Sequence, residues 1–401
     1  MSQKKKIVLF QPYLRKHILS FGRYLHDFEF VIKKPMSTGS FYKSLPPSFE
    51  QESQRIKINR VNQMRRFFGI LNVRVKFDQE ADIFFTYGCM LLTNKPYCVY
   101  VENGVAIYNY DTAIATNPLA RFFFSFLIKR KNCKKLIFMS DAGKKSFFST
   151  VSYSPRTRAI AEKKSVQIYP LVEKKDVVPK KYNGTIKLLF SGMFYMKGGL
   201  ELMNAFVKLR EKYKNITLTI ITPFQTLRES DKTTMEDGIP GLTILDAMLT
   251  EAEMNEMYQT HDIFMLPTFR DGFGLVLVEA ISYGMPIVCT DQYATTEVAI
   301  DNYNAMIYPN HPLKDYDTET FRLFGRYYHP KAFYSDLFHL QKQGKLKPVE
   351  DFIYHSVERF LLDPSLLEKF SKGSIDTYDK KFHQDLISAQ IESVFQETIN
   401  E

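Results

Sequence analysis

The sequence has few cysteines and histidines, and they lack the spacings from which metal and disulfide sites are usually built. Among its 401 residues there is no tryptophan, and the four cysteines are scattered without a C-x-x-C pair. The eight histidines are also dispersed, with no H-x-x-x-H spacing. Neither a disulfide framework nor a zinc site is therefore expected, and we predict a protein without a bound metal.

Long apolar runs are missing as well. No segment reaches the roughly 18 consecutive apolar residues that a membrane-spanning helix requires. Near the N-terminus, lysines at positions 4 to 6 precede only a short apolar stretch, residues 7–10, which is too short for the core of a signal peptide. These absences predict a protein that is made and kept in the cytoplasm.

Charge is distributed unevenly along the chain. Residues 1–180 hold 32 Lys and Arg against 13 Asp and Glu, a net charge of +19, whereas residues 181–401 hold 22 against 31, a net charge of −9. A basic half favours an anionic partner, such as nucleic acid, an acidic lipid surface or a phosphorylated substrate. The sign changes within a polar stretch that contains a proline and a glycine, residues 173–184. We therefore predict an N-terminal domain of residues 1–180 and a C-terminal domain of residues 181–401.

Short apolar segments alternate with helical patterns in both halves. The predicted strands are residues 7–10, 82–85, 97–101 and 136–139 in the first half, and 186–190, 216–221, 242–245, 263–266, 286–290 and 305–308 in the second. Such alternation is typical of parallel sheets that are covered by helices on both faces. The expected fold is α/β, with two Rossmann-like domains facing a cleft and a final helix that is able to pack back on the N-terminal domain. Ligands of open α/β sheets bind at the carboxyl ends of the strands.

The most specific motif is residues 266–280, LPTFRDGFGLVLVEA, in which a strand ends, a turn follows and a helix begins. The start of such a helix favours a phosphate group. The turn contributes Gly272, Phe273, Gly274 and Leu275 as candidate ligand contacts. Asp271 and Glu279 lie eight positions apart, so their carboxylates suit hydroxyl groups at the two ends of a nucleotide-linked sugar. The alternative is that Asp271 only caps the helix and Glu279 is a solvated helix residue.

Two further motifs follow strands of the same half. In SGMFYMKGGL, residues 191–200, Gly192 opens the loop and Lys197 is able to neutralise a diphosphate. In ATTEV, residues 294–298, the side chain of Glu297 falls at the same edge of the predicted sheet. Each motif by itself is equally compatible with a packing turn or a helix cap.

The three motifs together, in this order, resemble the family-4 retaining glycosyltransferases, the group 1 proteins with the GT-B fold. The resemblance covers residues 185–310, and it is closest over DGFGLVLVEAISYGMPIV, which is similar to the family's E-G-F-G-L-x-x-x-E-A-x-x-x-G-x-P-V signature. It implies that Asp271 touches hydroxyls of the donor sugar and that Glu279 binds the ribose. It also implies that Lys197 binds the diphosphate and that Glu297 corresponds to the glutamate of the family's P-E-V segment.

This sequence departs from the family pattern at several positions. Asp271 is one methylene shorter than the usual glutamate, and Met193 replaces the usual arginine of the lysine loop. Arg270 is the nearest candidate to supply the missing positive charge. Where the family often has a histidine near the reacting carbon, this chain has Glu102, and His17 is a second candidate on the acceptor side. A solitary histidine is more often structural.

The resemblance implies an enzyme that transfers a sugar from a nucleotide-sugar, its co-substrate, to a hydroxyl group with retention of anomeric configuration. Lys197, Arg270 and the helix start would stabilise the leaving diphosphate without a metal. The sequence Asp315-Tyr316-Asp317 has the D-x-D spacing of metal-dependent transferases but lies beyond the last predicted strand. Asp271, Lys197 and Glu102 are the candidate catalytic residues. Glu102 is either a general base for the acceptor hydroxyl or a buried, paired carboxylate.

The basic half is expected to hold the acceptor. Residues 119–135 combine phenylalanines with basic residues, and residues 55–68 form a second such segment. Basic, aromatic helices lie well on an anionic membrane surface, so we predict peripheral attachment to the inner face of the membrane and a saccharide or lipid-linked saccharide acceptor in cell-envelope glycan synthesis. The alternative for residues 122–128 is a core helix.

Three other functions are compatible with parts of the sequence. A nucleotide-sugar epimerase of the same fold would need no acceptor, and an inactive scaffold of that fold would bind without turnover. A nucleic-acid-binding protein would explain the basic half, but no RNP, KH or helix-turn-helix pattern supports it. We therefore predict no nucleic-acid partner.

Overall fold

A computed structural model describes residues 4–10, 16–32, 73–76, 80–236, 238–309, 311–324 and 330–400. The predicted basic segment at residues 55–68 lies outside them. Within these ranges the chain forms two six-stranded sheets and one two-stranded sheet. The strands are β1 Lys5–Phe10, β2 Phe28–Ile32, β3 Val73–Val75, β4 Ile83–Tyr87, β5 Met90–Leu92, β6 Tyr97–Val101, β7 Cys133–Phe138, β8 Ser165–Gln167, β9 Ile186–Ser191, β10 Ile216–Thr222, β11 Leu242–Asp246, β12 Ile263–Leu266, β13 Ile287–Thr290 and β14 Ala305–Tyr308.

Helices connect the strands. They are α1 Lys16–Leu19, α2 Phe21–Tyr24, α3 Thr112–Thr116, α4 Pro118–Lys129, α5 Asp141–Thr150, α6 Pro155–Lys164, α7 Gly199–Lys212, α8 Glu229–Glu236, α9 Glu251–Thr260, α10 Leu275–Ser282, α11 Pro330–Lys342, α12 Lys347–Leu362, α13 Ser365–Thr377 and α14 Gln384–Asn400. Short 3-10 helices occur at Ala106–Tyr108, Phe224–Thr226 and Thr295–Glu297, and a π-helical turn at Tyr378–Phe382. Among the described helices, none combines the length and the apolar character needed to cross a bilayer.

The first large sheet has the strand order β2-β1-β4-β6-β7-β8, and all its described pairs are parallel. Every residue of the central strands β4 (IFFTY) and β6 (YCVYV) is buried. Continuous apolar strands of this kind are stable only when helices cover both faces of the sheet. The predicted parallel sheet of the first half is therefore confirmed.

The second large sheet has the order β11-β10-β9-β12-β13-β14 and is also parallel throughout its described pairs. Its strands match the six apolar segments predicted in residues 186–308 to within two residues at either end. A capping box of Thr250 and Glu253 is present at the start of α9. Two parallel sheets with helical crossovers confirm the predicted α/β architecture.

The chain passes from one sheet to the other once and then returns. The connection between β8 and β9 has no regular structure and contains the predicted boundary near residue 180. The last helix, α14, packs on the first sheet, where the Phe395 ring lies 5.8 Å from that of Phe85 and 6.4 Å from that of Phe21. Near its end, the Thr398 hydroxyl lies 3.4 Å from the Cys98 sulfur of β6. The C-terminal segment thus fixes the N-terminal sheet to the second half of the chain.

Candidate active site

A cavity lies between the two sheets, where loops that follow β9 and β12 face loops that follow β6. The second half contributes Gly192, Met193, Lys197 and residues 270–272, and the first half contributes Glu102, Asn103 and Tyr110. Both sheets therefore present the carboxyl ends of their strands to this space, as expected for a ligand site of an open α/β sheet. The loop motifs of residues 191–200 and 266–280 meet here.

Close backbone contact between the two motif loops depends on glycine. Gly198 has φ +74°, and a Cβ atom at this position would lie 2.2 Å from the carbonyl oxygen of Pro267. Such a distance is impossible for a real side chain, so any other residue would push the loops apart. Gly274 also has positive φ, +79°, and forms the N-cap of α10. These positions set the spacing between Lys197 and the start of α10.

Lys197 and Asp271 form an ion pair in the cavity. The Lys197 ammonium donates to Asp271 Oδ2 at 2.5 Å and to the Arg270 carbonyl at 2.7 Å. The other carboxylate oxygen, Asp271 Oδ1, accepts the N–H groups of Phe273 at 3.1 Å and Gly274 at 2.7 Å. Burial raises the pKa of Asp271, but Lys197 and the two N–H groups outweigh it and hold the pKa below its ordinary value. Asp271 therefore orders the turn before α10 and also reaches the ligand cavity.

Arg270 lines the same cavity as Met193, the residue that replaces the arginine of the family pattern. Its Nε lies 3.6 Å from Asp315 Oδ2, and its guanidinium carbon lies 5.5 Å above the ring of Phe333. Burial raises the pKa of Asp315, and the nearby Arg270 opposes this shift. A cation is thus fixed on the wall from which the usual arginine is missing.

Glu279 lies in a second, smaller cavity, which Leu275 joins to the first. Its Oε2 accepts a hydrogen bond from the Tyr258 hydroxyl at 2.9 Å. His17, on α1, lines this second cavity and packs near the rings of Tyr87 and Tyr100. Asp271 and Glu279 therefore line adjoining cavities, and His17 lines the cavity of Glu279.

Glu102 faces the Asp271 loop from the first half of the chain. Its Oε2 accepts hydrogen bonds from the hydroxyls of Tyr87 at 2.6 Å and Tyr110 at 2.8 Å. A Cβ atom on Gly272 would lie only 2.0 Å from Glu102 Oε1. Glu102 is therefore a half-buried carboxylate with two phenol partners, at the contact between the two halves of the cleft.

Glu297 connects the two halves at another place. Its carboxylate accepts the N–H groups of Asp141 at 3.0 Å and Ala142 at 2.8 Å, at the start of α5, and the Tyr169 hydroxyl at 2.9 Å. The Lys381 ammonium donates to its backbone carbonyl at 2.6 Å. Phe273 is buried beside Tyr169, with ring centroids 6.0 Å apart. The structure thus places Glu297 on the N-terminus of a helix of the other half.

Sequence reasoning did not single out two residues of the cavity as ligand-site residues. Asp315 was assigned to a polar loop beyond the last strand, yet its side chain is buried against Arg270. Tyr110 follows a 3-10 helix and reaches Glu102 through its hydroxyl. Only the D-x-D spacing drew attention to Asp315, and no local signal marked Tyr110. Within the described ranges, no group of three or more His, Cys, Asp or Glu side chains has the arrangement of a metal site.

Comparison with known proteins agrees with this architecture. The model of the family "Glycosyl transferases group 1" matches residues 185–322. MMP alpha-(1->4)-mannosyltransferase of Mycolicibacterium hassiacum is 24% identical over 188 residues, which are 45% of this chain and 44% of that protein. The capsular polysaccharide biosynthesis glycosyltransferase CapM of Staphylococcus aureus is 19% identical over 320 residues, which are 77% of this chain and 73% of that protein. The chain thus spans less than half the length of the mannosyltransferase.

The fold is shared over the whole chain with a solved structure. The crystal structure of Anabaena HepE in complex with UDP and glucose superposes with a TM-score of 0.57, at 10% identity, and covers 98% of this chain and 100% of that one. At this identity the likeness concerns the fold alone. Residues 185–322 therefore match the group 1 glycosyl transferases, and the chain that contains them shares the two-domain GT-B fold.

Proposed function

We propose that this protein transfers a sugar from a nucleotide-sugar to a hydroxyl group of a saccharide or lipid-linked saccharide, with retention of anomeric configuration and without a metal. The observation that carries the proposal is the convergence of Lys197, Arg270 and the start of α10 on one cavity. Two cations and a helix N-terminus suit a diphosphate. Glu279, in the adjoining cavity, is then at the right end of the ligand to bind the ribose.

Binding of the donor would change the ion pair of Lys197 and Asp271. In the structure the two charges neutralise each other at 2.5 Å. An arriving diphosphate competes for Lys197, which frees Asp271 Oδ2 to accept a hydroxyl of the donor sugar. The exchange keeps Lys197 paired with an anion and replaces the ammonium at Asp271 by a hydroxyl donor, so neither buried charge is left without a polar partner.

The chemical step follows from these positions. The bond between the anomeric carbon and the phosphate oxygen breaks, and its electron pair leaves with the nucleoside diphosphate, whose charge Lys197 and Arg270 stabilise. The acceptor oxygen bonds to the anomeric carbon on the face that the phosphate leaves. We assign Glu102 as the acceptor of the hydroxyl proton, because it is the carboxylate that the first half of the chain places against the Asp271 loop.

An exposed apolar face on α4 supports attachment to an anionic membrane. Leu119, Phe122 and Phe126 are 59%, 76% and 44% exposed and recur at helical spacing along one face. On the opposite face Phe124, Leu127 and Ile128 are fully buried. Exposed Lys129 and Lys131 follow directly. An aromatic face bordered by lysines is typical of helices that lie in a membrane interface. The alternative of a core helix at residues 122–128 describes only the buried face of α4.

A lipid-linked acceptor would be delivered at such a surface. The S. aureus relative acts in capsular polysaccharide biosynthesis by its name, which supports an acceptor from cell-envelope glycan synthesis. Attachment through α4, in the basic half of the chain, leaves the donor loops of the other half accessible from the cytoplasm. We therefore place the protein on the inner face of the membrane.

The test begins with donor binding. Nucleoside diphosphates and nucleotide-sugars, starting with UDP, are screened by thermal shift, because a bound ligand stabilises the folded state by mass action. The donor that binds is then assayed for release of nucleoside diphosphate with and without saccharide acceptors. Acceptor-dependent release supports the transferase, acceptor-independent conversion of the donor indicates an epimerase, and binding without turnover indicates an inactive scaffold.

A site variant completes this test. Glu279→Ala is expected to weaken donor binding by about 2–4 kcal/mol, since it removes a charged contact to the ribose. Glu368→Ala, on the distant helix α13, is the matched loss of a carboxylate outside the cleft. Equal donor affinity in the two variants would refute the assignment of Glu279.

A further inference from the structure

The carboxylate of Glu102 is held by two tyrosines at a single oxygen. Tyr87 donates to Oε2 at 2.6 Å from the end of β4, and Tyr110 donates to the same atom at 2.8 Å from the turn after Ala106–Tyr108. Tyr87 is buried in the sheet, whereas Tyr110 is half-buried and lines the donor cavity. One of the two hydrogen-bond donors, Tyr87, is therefore part of the core, and the other, Tyr110, belongs to the wall of the site.

The backbone adopts a costly conformation to present Tyr110. Asn109 and Tyr110 have φ of 59° and 56°, so two consecutive residues other than glycine are left-handed. This region is strained for a bulky side chain such as that of Tyr110. The turn is held by the N–H of Asn109 to the Ala106 carbonyl at 3.2 Å and the N–H of Tyr110 to the Val105 carbonyl at 3.0 Å. Strain that the surroundings enforce in this way is concentrated at functional sites.

The second carboxylate oxygen faces the opposite wall of the cleft. Glu102 Oε1 lies so close to Gly272 that no Cβ atom fits between them. Gly272 directly follows Asp271, which we assign to the donor sugar. With Oε2 fixed by two hydroxyls, the plane of the carboxylate is fixed as well, and Oε1 stays at the loop that carries Asp271.

We propose that Tyr110 is a positioning residue for Glu102. Its hydroxyl, brought to the cavity by the strained turn at residues 109–110, holds Glu102 Oε1 at the reacting sugar. The proposal rests on the proposed function, because it concerns the carboxylate that receives the acceptor proton. Orientation of a catalytic group within a few tenths of an ångström affects the chemical step far more than it affects binding of the donor.

The first experiment compares Tyr110→Phe with Tyr303→Phe. Tyr110→Phe removes only the hydroxyl, and we expect kcat to fall about tenfold or more while KM for the donor changes less than twofold. Tyr303→Phe is the matched control, since it removes a hydroxyl that donates to a carboxylate oxygen, Asp376 Oδ2 at 2.6 Å, in the other half of the chain. Its kcat is expected to equal that of the wild type. An unchanged kcat in Tyr110→Phe would overturn the proposal.

A double-mutant cycle shows whether Tyr110 acts through Glu102. In a Glu102→Ala background there is no carboxylate to position, so Tyr110→Phe is expected to cause no further loss of kcat. If the two substitutions instead lower kcat by independent factors that multiply in the double variant, Tyr110 contacts the substrate itself, which contradicts a positioning role. If Tyr110→Phe lowers the melting temperature strongly, Tyr87→Phe is carried through the same cycle with the same expectation.

The outcomes separate this inference from the proposed function. Turnover by the wild type together with an unaffected Tyr110→Phe variant overturns only the positioning role. Absence of turnover in the wild type, with every donor that binds and with every acceptor, overturns the transferase proposal and the positioning role with it.

Discussion

Lys197 and Asp271 come from different loops, 74 positions apart in sequence, and pair across the donor cavity at 2.5 Å with side chains only 17% and 14% exposed. In each loop the neighbouring residues are arranged around this contact. Gly198 allows the lysine loop to touch Pro267, and Asp271 itself orders the turn before α10. The ion pair and the contact of Gly198 with Pro267 therefore hold the loops of residues 191–200 and 266–280 together. Removal of one partner has consequences for folding that the sequence motifs alone do not predict.

The first prediction concerns stability. Lys197→Met leaves Asp271 as a buried, uncompensated charge, so we expect a loss of about 3 kcal/mol in the free energy of unfolding. The double variant Lys197→Met/Asp271→Asn removes both charges and should regain most of that loss, while donor binding stays abolished. Denaturant unfolding and nucleoside diphosphate titration measure the two effects separately.

The control for this prediction is Lys372→Met. The side chains of Lys372 and its partner Glu368 are 62% and 36% exposed. An exposed pair contributes about 1 kcal/mol or less. A loss in Lys197→Met no larger than in Lys372→Met would show that the pair of Lys197 and Asp271 does not stabilise the fold.

The second prediction concerns acid. Because the pKa of Asp271 is lower in the folded protein than in the unfolded chain, its contribution to stability is fully present above the unfolded value of about 4. The contribution is lost as the pH falls below about 4 and then through the lowered pKa that Asp271 has in the folded protein. We expect the difference in stability between the wild type and Asp271→Asn to shrink over this acidic range. Urea unfolding of both proteins from pH 7 to pH 3 measures it, and a difference that stays constant with pH would contradict the assignment.

The third prediction concerns Glu297. Glu297→Ala removes the acceptor of two N–H groups at the start of α5, and we expect a loss of about 1–2 kcal/mol, as for other helix caps. Asn117→Ala is the matched variant, because Asn117 caps α4 in the same way, on Leu119 and Ala120, without leaving its own half of the chain. Melting temperatures of both variants provide the comparison.

The same samples decide whether Glu297 also contacts the donor, as its motif suggests. A donor contact would raise the Kd for nucleoside diphosphate in Glu297→Ala and leave it unchanged in Asn117→Ala. Equal Kd values would restrict Glu297 to the contact between the two halves.

The fourth prediction concerns the membrane. Replacement of Lys129, Lys131 and Lys134 by glutamine should weaken binding to anionic vesicles by up to about 3 kcal/mol at low salt, at about 1 kcal/mol for each charge. Arg130 and Lys135 are left in place, because Arg130 donates to the Thr93 carbonyl at 3.3 Å and Lys135 pairs with Glu397 of α14 at 2.7 Å. Co-sedimentation with anionic and neutral vesicles measures the effect. Equal binding of the wild type to both kinds of vesicle would contradict an electrostatic contribution.

The two faces of α4 give opposite expectations for phenylalanine variants. Phe122→Ser should reduce vesicle binding with little change in melting temperature, because that ring is 76% exposed. Phe124→Ser should instead destabilise the protein by about 3–5 kcal/mol, because its ring is fully buried and lies 4.4 Å from that of Tyr108. Leu362→Ser, an exposed apolar change in the acidic half, is the control that should affect neither property.

The fifth prediction concerns metal. If Lys197, Arg270 and the start of α10 neutralise the leaving diphosphate, activity should be unchanged in excess EDTA. The same assay with the preformed magnesium complex of EDTA controls for effects of the chelator itself. Complete loss of activity that magnesium or manganese restores would contradict metal-independent transfer.

Sequence reasoning placed the strands and the donor loops well, because these features depend on neighbouring residues. The apolar runs of β9 to β14, the capping box at Thr250 and the glycines at residues 192, 198 and 274 all carry a local signal. The boundary near residue 180 is likewise a prediction from local composition. Residues 33–72, by contrast, contain the second predicted basic segment and lie outside the described structure.

The sequence by itself determined the strands of the second sheet and the positions of the loop motifs at residues 191–200 and 266–280, since hydrophobic periodicity and turn chemistry act over a few residues. Only the tertiary structure decided which charges and hydroxyls meet. It placed Arg270 on Asp315, Tyr110 on Glu102 and Glu297 on a helix of the other half. These contacts join segments of the chain that fold into different loops or different sheets. No local pattern encodes such a pairing, because its geometry is set by the packing of the two halves against each other.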